Sequence, residues 1–225
     1  MCFSPEASFT AAAGLAVVGY GSLKQITDKS QALLAIMPLL FAVQQLSEGV
    51  LWLALDYGYY PTLLSDIAMS VFLFFAYITW PIWLPFSLVM IEKKSFRLNL
   101  LLLCLGVGIG FTVINFYSAQ DSALSAKIVD NSIQYGAYQV NSPWFFYTMR
   151  ILYLAAVIVP CFISTFPLMW VFGLLVGISY AIAEYFYFAT FSSVWCFFAA
   201  IVSISIFFIL YRHKLTLQKM NDISQ

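Results

Sequence analysis

Three ionisable side chains stand well inside long apolar stretches of the sequence, Glu48, Arg150 and Glu184, while Asp66 sits near the outer start of a fourth. Holding a charge in hydrocarbon costs several kcal/mol, so such groups face a partner, a cavity or a ligand rather than lipid. Counted at about 1.5 Å of rise per residue, they sit roughly 7, 6 and 10 Å outward of the centres of their segments, and so at similar depth. Two carboxylates and one guanidinium leave one excess negative charge, which a proton, a bound cation or an amine would neutralise. Gln44, Gln45 and Tyr180 are neighbours on the same helical faces and supply hydrogen bonds. Polar faces must turn into a bundle, since lipid cannot satisfy them. The expected site is therefore an outward-opening polar pocket lined by Gln44, Gln45, Glu48, Arg150, Tyr180 and Glu184. By depth, Glu48 is the first partner expected for Arg150 and Glu184 the second. A structural ion pair with no ligand is the competing reading.

Cys2, Glu6 and Cys196 belong to the same outer side and could fold over the mouth of that pocket. For Cys2 and Cys196 a disulfide, two free thiols or a soft-metal site shared with a carboxylate all remain open. Cys104 and Cys161 fall deeper and read as small apolar fillers. Other chemistries lack their residues. The one histidine, His213, stands between Arg212 and Lys214 near the C-terminal end, which disfavours multi-histidine zinc and bis-histidine haem sites. No apolar segment holds a lysine for a Schiff base, and no phosphate-binding loop or H-E-x-x-H occurs. No cofactor can be named, and no metal site is assigned.

The elements that must position these groups follow from composition. Of 225 residues 63% are hydrophobic and 9% charged, against about 45–50% and 25% in soluble domains. A polar shell that thin cannot cover a soluble core, so the lipid bilayer is the first partner expected. Apolar runs at 7–23, 32–55, 63–90, 98–117, 143–165, 166–188 and 191–211 predict seven transmembrane helices. They are too long and too continuously apolar for barrel strands. The fold class is all-α, one membrane bundle over residues 1–225, with an outer loop at 118–142 and a cytoplasmic tail at 212–225. Eight of the ten basic residues fall on one side of that topology, which places the C-terminus in the cytoplasm and the N-terminus outside. The outer loop is long enough for a small lid, although a solvated linker is its simpler reading. Pro81 and Pro85 should kink the third span, and Gly106, Gly108 and Gly110 read as helix packing. Ten acidic residues balance the ten basic ones, so no field draws a nucleic acid.

Several strings add a resemblance. Met1-Cys2-Phe3-Ser4-Pro5-Glu6, Gln44-Gln45-Leu46-Ser47-Glu48 with Trp52, Trp80-Pro81-Ile82-Trp83 and Ser193-Val194-Trp195-Cys196-Phe197-Phe198 resemble an uncharacterised family of bacterial multi-span membrane proteins. Its members begin Met-Cys-Phe/Trp-Ser and carry a His/Gln-Gln-x-x-Glu element in the second span. The resemblance implies a bacterial inner membrane and highlights residues, but supplies no reaction. Three functions stay open: binding or transport of a small solute (a cation, proton or amine), an enzyme acting on a lipid or quinone-like substrate with a carboxylate as acid and base, and an accessory subunit whose charges are structural. Membership of an oligomer or larger complex is open as well.

Overall fold

The computed structural model describes residues 4–119, 124–136 and 142–223. Among them seven helices follow one another. They are α1 (Pro5–Leu23), α2 (Lys29–Asp56), α3 (Leu63–Ile91), α4 (Ser95–Ala119), α5 (Pro143–Val157, prolonged by Val159–Ile163), α6 (Met169–Phe186) and α7 (Phe191–Ile223). A two-stranded hairpin, β1 (Ala126–Val129) and β2 (Ser132–Tyr135), lies between α4 and α5. Six helices, α2 to α7, are long and apolar enough to cross a membrane. The 19-residue α1, rich in alanine, glycine and serine, is not among them. Six rather than seven spans thus meet that measure.

Consecutive helices pack side by side, and α7 closes the ring by lying against both α1 and α2. Local sequence sets the breaks. Pro38 restarts α2 after the short turns of Lys29–Gln31 and Ala32–Ala35, a position where a missing N–H costs nothing. Thr62 and Ser65 cap α3 reciprocally, each side chain taking the other's backbone N–H. Apolar side chains point both inward and outward: Leu34, Phe72, Leu84 and Met169 are buried, while Leu63, Phe96 and Phe186 are exposed. A bundle whose solvent is lipid has no reason to hide the second group.

In α3 the expected kink takes the form of a single π-turn over Phe75–Thr79, directly ahead of Pro81. The Trp80 N–H reaches back to the Phe75 carbonyl, and proline at 81 has no N–H to give. The carbonyls of Ala76 and Tyr77 take side-chain donors instead, the Tyr153 hydroxyl at 2.8 Å and the Thr112 hydroxyl at 3.3 Å. The π-turn is thereby fixed to α4 and α5. Gly108 lets α4 approach the Pro81 carbonyl, in space that a Cβ would occupy.

The segment between α4 and α5 is no solvated linker over residues 124–136. Asp130 and Asn131 adopt φ of 47° and 56°, forming the two-residue turn that matches strand twist, with Val129 opposite Ser132. Ser132 and Ile133 are fully buried. The Tyr135 ring stacks on Phe72 at 4.7 Å, and the Ala126 N–H donates to the Tyr60 hydroxyl at 3.0 Å. The hairpin is a plug set into one end of the bundle.

The other end gathers the basic residues. Lys214 donates to the Lys24 carbonyl at 3.0 Å, Arg97 donates to the Ile163 carbonyl at 2.6 Å, and His213 lies 4.9 Å from Phe166 between ring centres. Glu92 follows α3 and accepts from the Thr165 N–H at 2.8 Å.

Candidate functional site

The three intramembrane charges divide into two unequal places. Glu48 is 1% exposed on α2. Its Oε1 accepts from the Ser193 hydroxyl of α7 at 2.6 Å and from the Tyr135 hydroxyl of the hairpin at 3.4 Å. Its Oε2 accepts from Gln45 Nε2 at 3.4 Å. No cation faces it among the described residues. One turn back, Gln44 Oε1 accepts from Trp80 Nε1 at 2.8 Å, and Trp80 stacks on Phe41 at 3.8 Å. Gln44 Nε2 and Gln45 Oε1 have no hydrogen-bond partner among the described residues although both are buried. Such groups cost about 1–3 kcal/mol each when left unsatisfied.

Arg150 on α5 pairs with Glu184 on α6 rather than with Glu48. The short turn at 164–168 makes α5 and α6 neighbours, and the two residues stand about equally far from it. The first-choice partnership of Arg150 with Glu48 is therefore replaced by the second. Shared depth fixed their height but not their direction around the ring. The guanidinium carbon also lies 4.3 Å from the centre of the Phe146 ring, 4.4 Å from Phe191 and 5.2 Å from Phe188. Aromatic faces attract a cation, more so where water is scarce.

Beside Arg150 opens a cavity of about 550 Å³ between α3, α4, α5, α6, α7 and the hairpin, within the ordinary range for small-molecule sites. Its floor is buried: Ala76 of the π-turn, Phe111, Tyr153, Trp195 and Cys196. Its rim is exposed, with Ser142, Pro143, Phe188 and Ala189. Gln134 and Tyr135 of the hairpin form part of the wall. The opening is at the hairpin end of the bundle. Tyr77, presented by the π-turn, shares a 2.8 Å hydrogen bond with Ser192 on the cavity wall. Trp195 is held by its Nε1–H donating to Ser179 at 3.2 Å and by edge contacts with Tyr153 and Tyr180.

Of the residues singled out from the sequence, Arg150, Tyr180 and Cys196 line the cavity. Gln44, Gln45 and Glu48 do not; the lining residue that touches Glu48 is Tyr135, whose hydroxyl donates to it. Glu184 holds Arg150 from outside the lining. Glu6 is exposed in the first turn of α1 and lines nothing there. Cys2 lies outside the described residues. Cys104, Cys161 and Cys196 are free and buried, so the described structure holds no bridge at Cys196. No group of three or more His, Cys, Asp and Glu gathers among the described residues. Sequence reasoning placed Tyr153 on one helical face with Arg150 but missed Tyr77, Tyr135 and Ser192 as parts of the site. The signals were present: Pro81 for the π-turn, and the Asp130-Asn131 pair for the hairpin.

Residues 1–221, nearly the whole chain, match the model of a family of unknown function, DUF6629. The chain belongs to this family. No curated protein and no solved structure matches it. Membership agrees with an uncharacterised family and brings no reaction with it, so any activity must be argued from the cavity.

Proposed function

We propose that this is a multi-pass protein of a bacterial inner membrane whose activity is to bind a small, largely apolar solute in the cavity beside Arg150. Transport is the form that binding takes if the hairpin plug moves. In this reading α1 is a seventh span. Its 19 residues reach about 28 Å at helical rise, and it lies along α2 and α7. The basic end of the bundle faces the cytoplasm by the positive-inside rule, which turns the hairpin and the cavity mouth outward.

The observation that carries the proposal is the shape and chemistry of the lining. A buried aromatic floor, an exposed rim and a few polar groups at one side make a site that holds a ligand and orients it. The lining has no carboxylate, histidine or lysine among the described residues, so binding is better supported than acid–base catalysis. A purely structural role would give a closed, dry ion pair, whereas Arg150 borders open space.

The test uses the full chain in nanodiscs, titrated calorimetrically with a neutral aromatic probe, naphthalene-2-carboxamide, against empty nanodiscs. Saturable one-site binding that Ala189→Trp, at the rim, abolishes is the expected result. Uptake indistinguishable from empty nanodiscs overturns the proposal.

A further inference from the structure

We infer that the cavity selects an organic anion: a carboxylate or phosphate monoester carried on an apolar body. The inference rests on the cavity being the binding site, and it reverses the polarity that the two glutamates suggest in the sequence.

Four observations carry it. Arg150 is the one formally charged side chain in the described lining. Neither carboxylate that would welcome a cation lines the cavity: Glu48 is buried and held by Tyr135 and Ser193, and Glu184 lies outside the lining. The guanidinium is held from its sides by Phe146, Phe188 and Phe191 and anchored through Nη1 to Glu184. It makes no other hydrogen bond among the described residues. A planar guanidinium so held keeps N–H donors for a second oxyanion, and its fork matches carboxylate and phosphate oxygens.

Neutral donors complete the polar side. Tyr147 and Tyr180 of α5 and α6, and Asn115 of α4, stand in the same lining as Arg150. A phenol hydroxyl donates readily to an anion, and an amide does so through its NH2. Phe111, Phe145 and Trp195 of the same lining offer apolar surface to the body of such a ligand. An ammonium ligand would meet the guanidinium from the side away from Glu184, with no carboxylate in the described lining to receive it, and like charges in a low-dielectric site repel. The shared chemistry fits two sources, a free amphipathic acid and the phosphate headgroup of a lipid whose chain reaches the aromatic floor.

Three probes with one ring system separate charge from shape: 2-naphthoate, naphthalene-2-carboxamide and 2-naphthylmethylamine, titrated into the full chain in zwitterionic nanodiscs at pH 7 and corrected for empty nanodiscs. Naphthoate should bind at least about ten-fold tighter than the carboxamide, and the amine more weakly than either, in line with a charge-assisted hydrogen bond being roughly twice as strong as a neutral one. The charge-balanced double variant Arg150→Gln/Glu184→Gln should still bind the carboxamide but lose the preference for naphthoate. Arg150→Lys should keep the sign of the preference and reduce its size, since an ammonium lacks the planar fork. Equal binding of naphthoate and carboxamide, or tightest binding of the amine, overturns the anion while leaving the cavity a binding site. Absence of saturable binding by all three overturns both. Adding phosphatidic acid to the nanodiscs identifies the source: competition with naphthoate supports a lipid headgroup anion, and an unchanged affinity supports a free acid.

Discussion

Glu48 and Glu184 are both glutamates in apolar helices of one bundle, and they meet the cost of a carboxylate in apolar surroundings in opposite ways. Glu48 is sealed, 1% exposed, and held by neutral donors from three separate elements: Ser193 on α7, Tyr135 on the hairpin and Gln45 on its own helix. Glu184 keeps 28% of its side chain exposed and takes a full positive charge from Arg150 on the adjoining helix. The first arrangement ties distant parts of the chain together. The second aims a guanidinium at a cavity. The difference teaches that a glutamate in a span can be a structural joint in one place and a counter-ion to a binding group in another, and that its neighbours decide which.

The largest effect should follow from removing the joint. Glu48→Ala strands the Ser193 and Tyr135 hydroxyls and the Gln45 amide in a dry place, at about 1–3 kcal/mol each where no water enters. A loss of roughly 3 kcal/mol or more is expected, seen as a markedly lower unfolding temperature in detergent. Glu48→Gln keeps the shape and an acceptor oxygen and should recover most of it. Equal damage by both variants would mean that the carboxylate itself, not its hydrogen bonding, holds the region, and the contrast with Glu184 would narrow to one of exposure.

Breaking the ion pair should cost less. Arg150→Ala leaves Glu184 without its cation, but that side chain is partly exposed rather than sealed, so about 1–2 kcal/mol is expected rather than the larger penalty of a sealed pair. The double variant Arg150→Ala/Glu184→Ala should be no less stable than Arg150→Ala alone. A double-mutant cycle by thermal unfolding measures the coupling. A coupling as large as the whole effect of Glu48→Ala would show that both carboxylates serve as joints.

Smaller again is the link between the sealed cluster and the plug. Tyr135→Phe keeps the stacking on Phe72 and removes a long, 3.4 Å hydrogen bond to Glu48, worth about 1 kcal/mol or less. Amide exchange across residues 126–135 should quicken while the helices stay protected. Unchanged exchange in the hairpin would place its anchorage in Ile133 and Phe72 instead.

How much of this was legible follows from what a linear pattern encodes. Length and hydropathy set out helices α2 to α7 because lipid acts on every residue of a span alike. The same pattern also marked the run at 7–23, where small residues make α1 a weaker case. Arg150 and Tyr180 were found because a charge or a phenol in an apolar run is conspicuous. The sealing of Glu48 was not legible. Its chief donor, Ser193, and its second, Tyr135, are distant in sequence and ordinary in type. The direction of the Arg150 contact was hidden for a related reason: residue depth gives a height along the membrane normal, while helix adjacency comes from the ring order that only packing settles. Tyr77 was overlooked because a π-turn leaves no composition signal beyond the Pro81 that follows it.

A third carboxylate, outside the spans, sharpens the comparison with the smallest effect. Glu92 follows α3 at the basic end and is buried, which by itself pushes its pKa up. That push is outweighed by the backbone N–H groups of Lys94, Thr165 and Lys93 and the hydroxyl of Thr165, all donating to the carboxylate. Its pKa lies below the ordinary 4.5, so the folded state prefers the ionised form. The sign follows: the stabilisation is complete above the ordinary carboxylate range and is lost as pH falls through the lowered folded value. Since Thr165 sits in the turn between α5 and α6, losing this contact should loosen the very turn that sets Arg150 beside Glu184. Acidification from pH 6 to pH 3.5 should therefore lower the unfolding temperature of the wild type slightly more than that of Glu92→Gln, whose neutral amide has no charge to lose. Exchange of the Thr165 N–H should quicken in the same interval. If wild type and Glu92→Gln fall in parallel, the donors around Glu92 are not what positions the turn, and the placing of Arg150 against Glu184 must come from the packing of α5 on α6 alone.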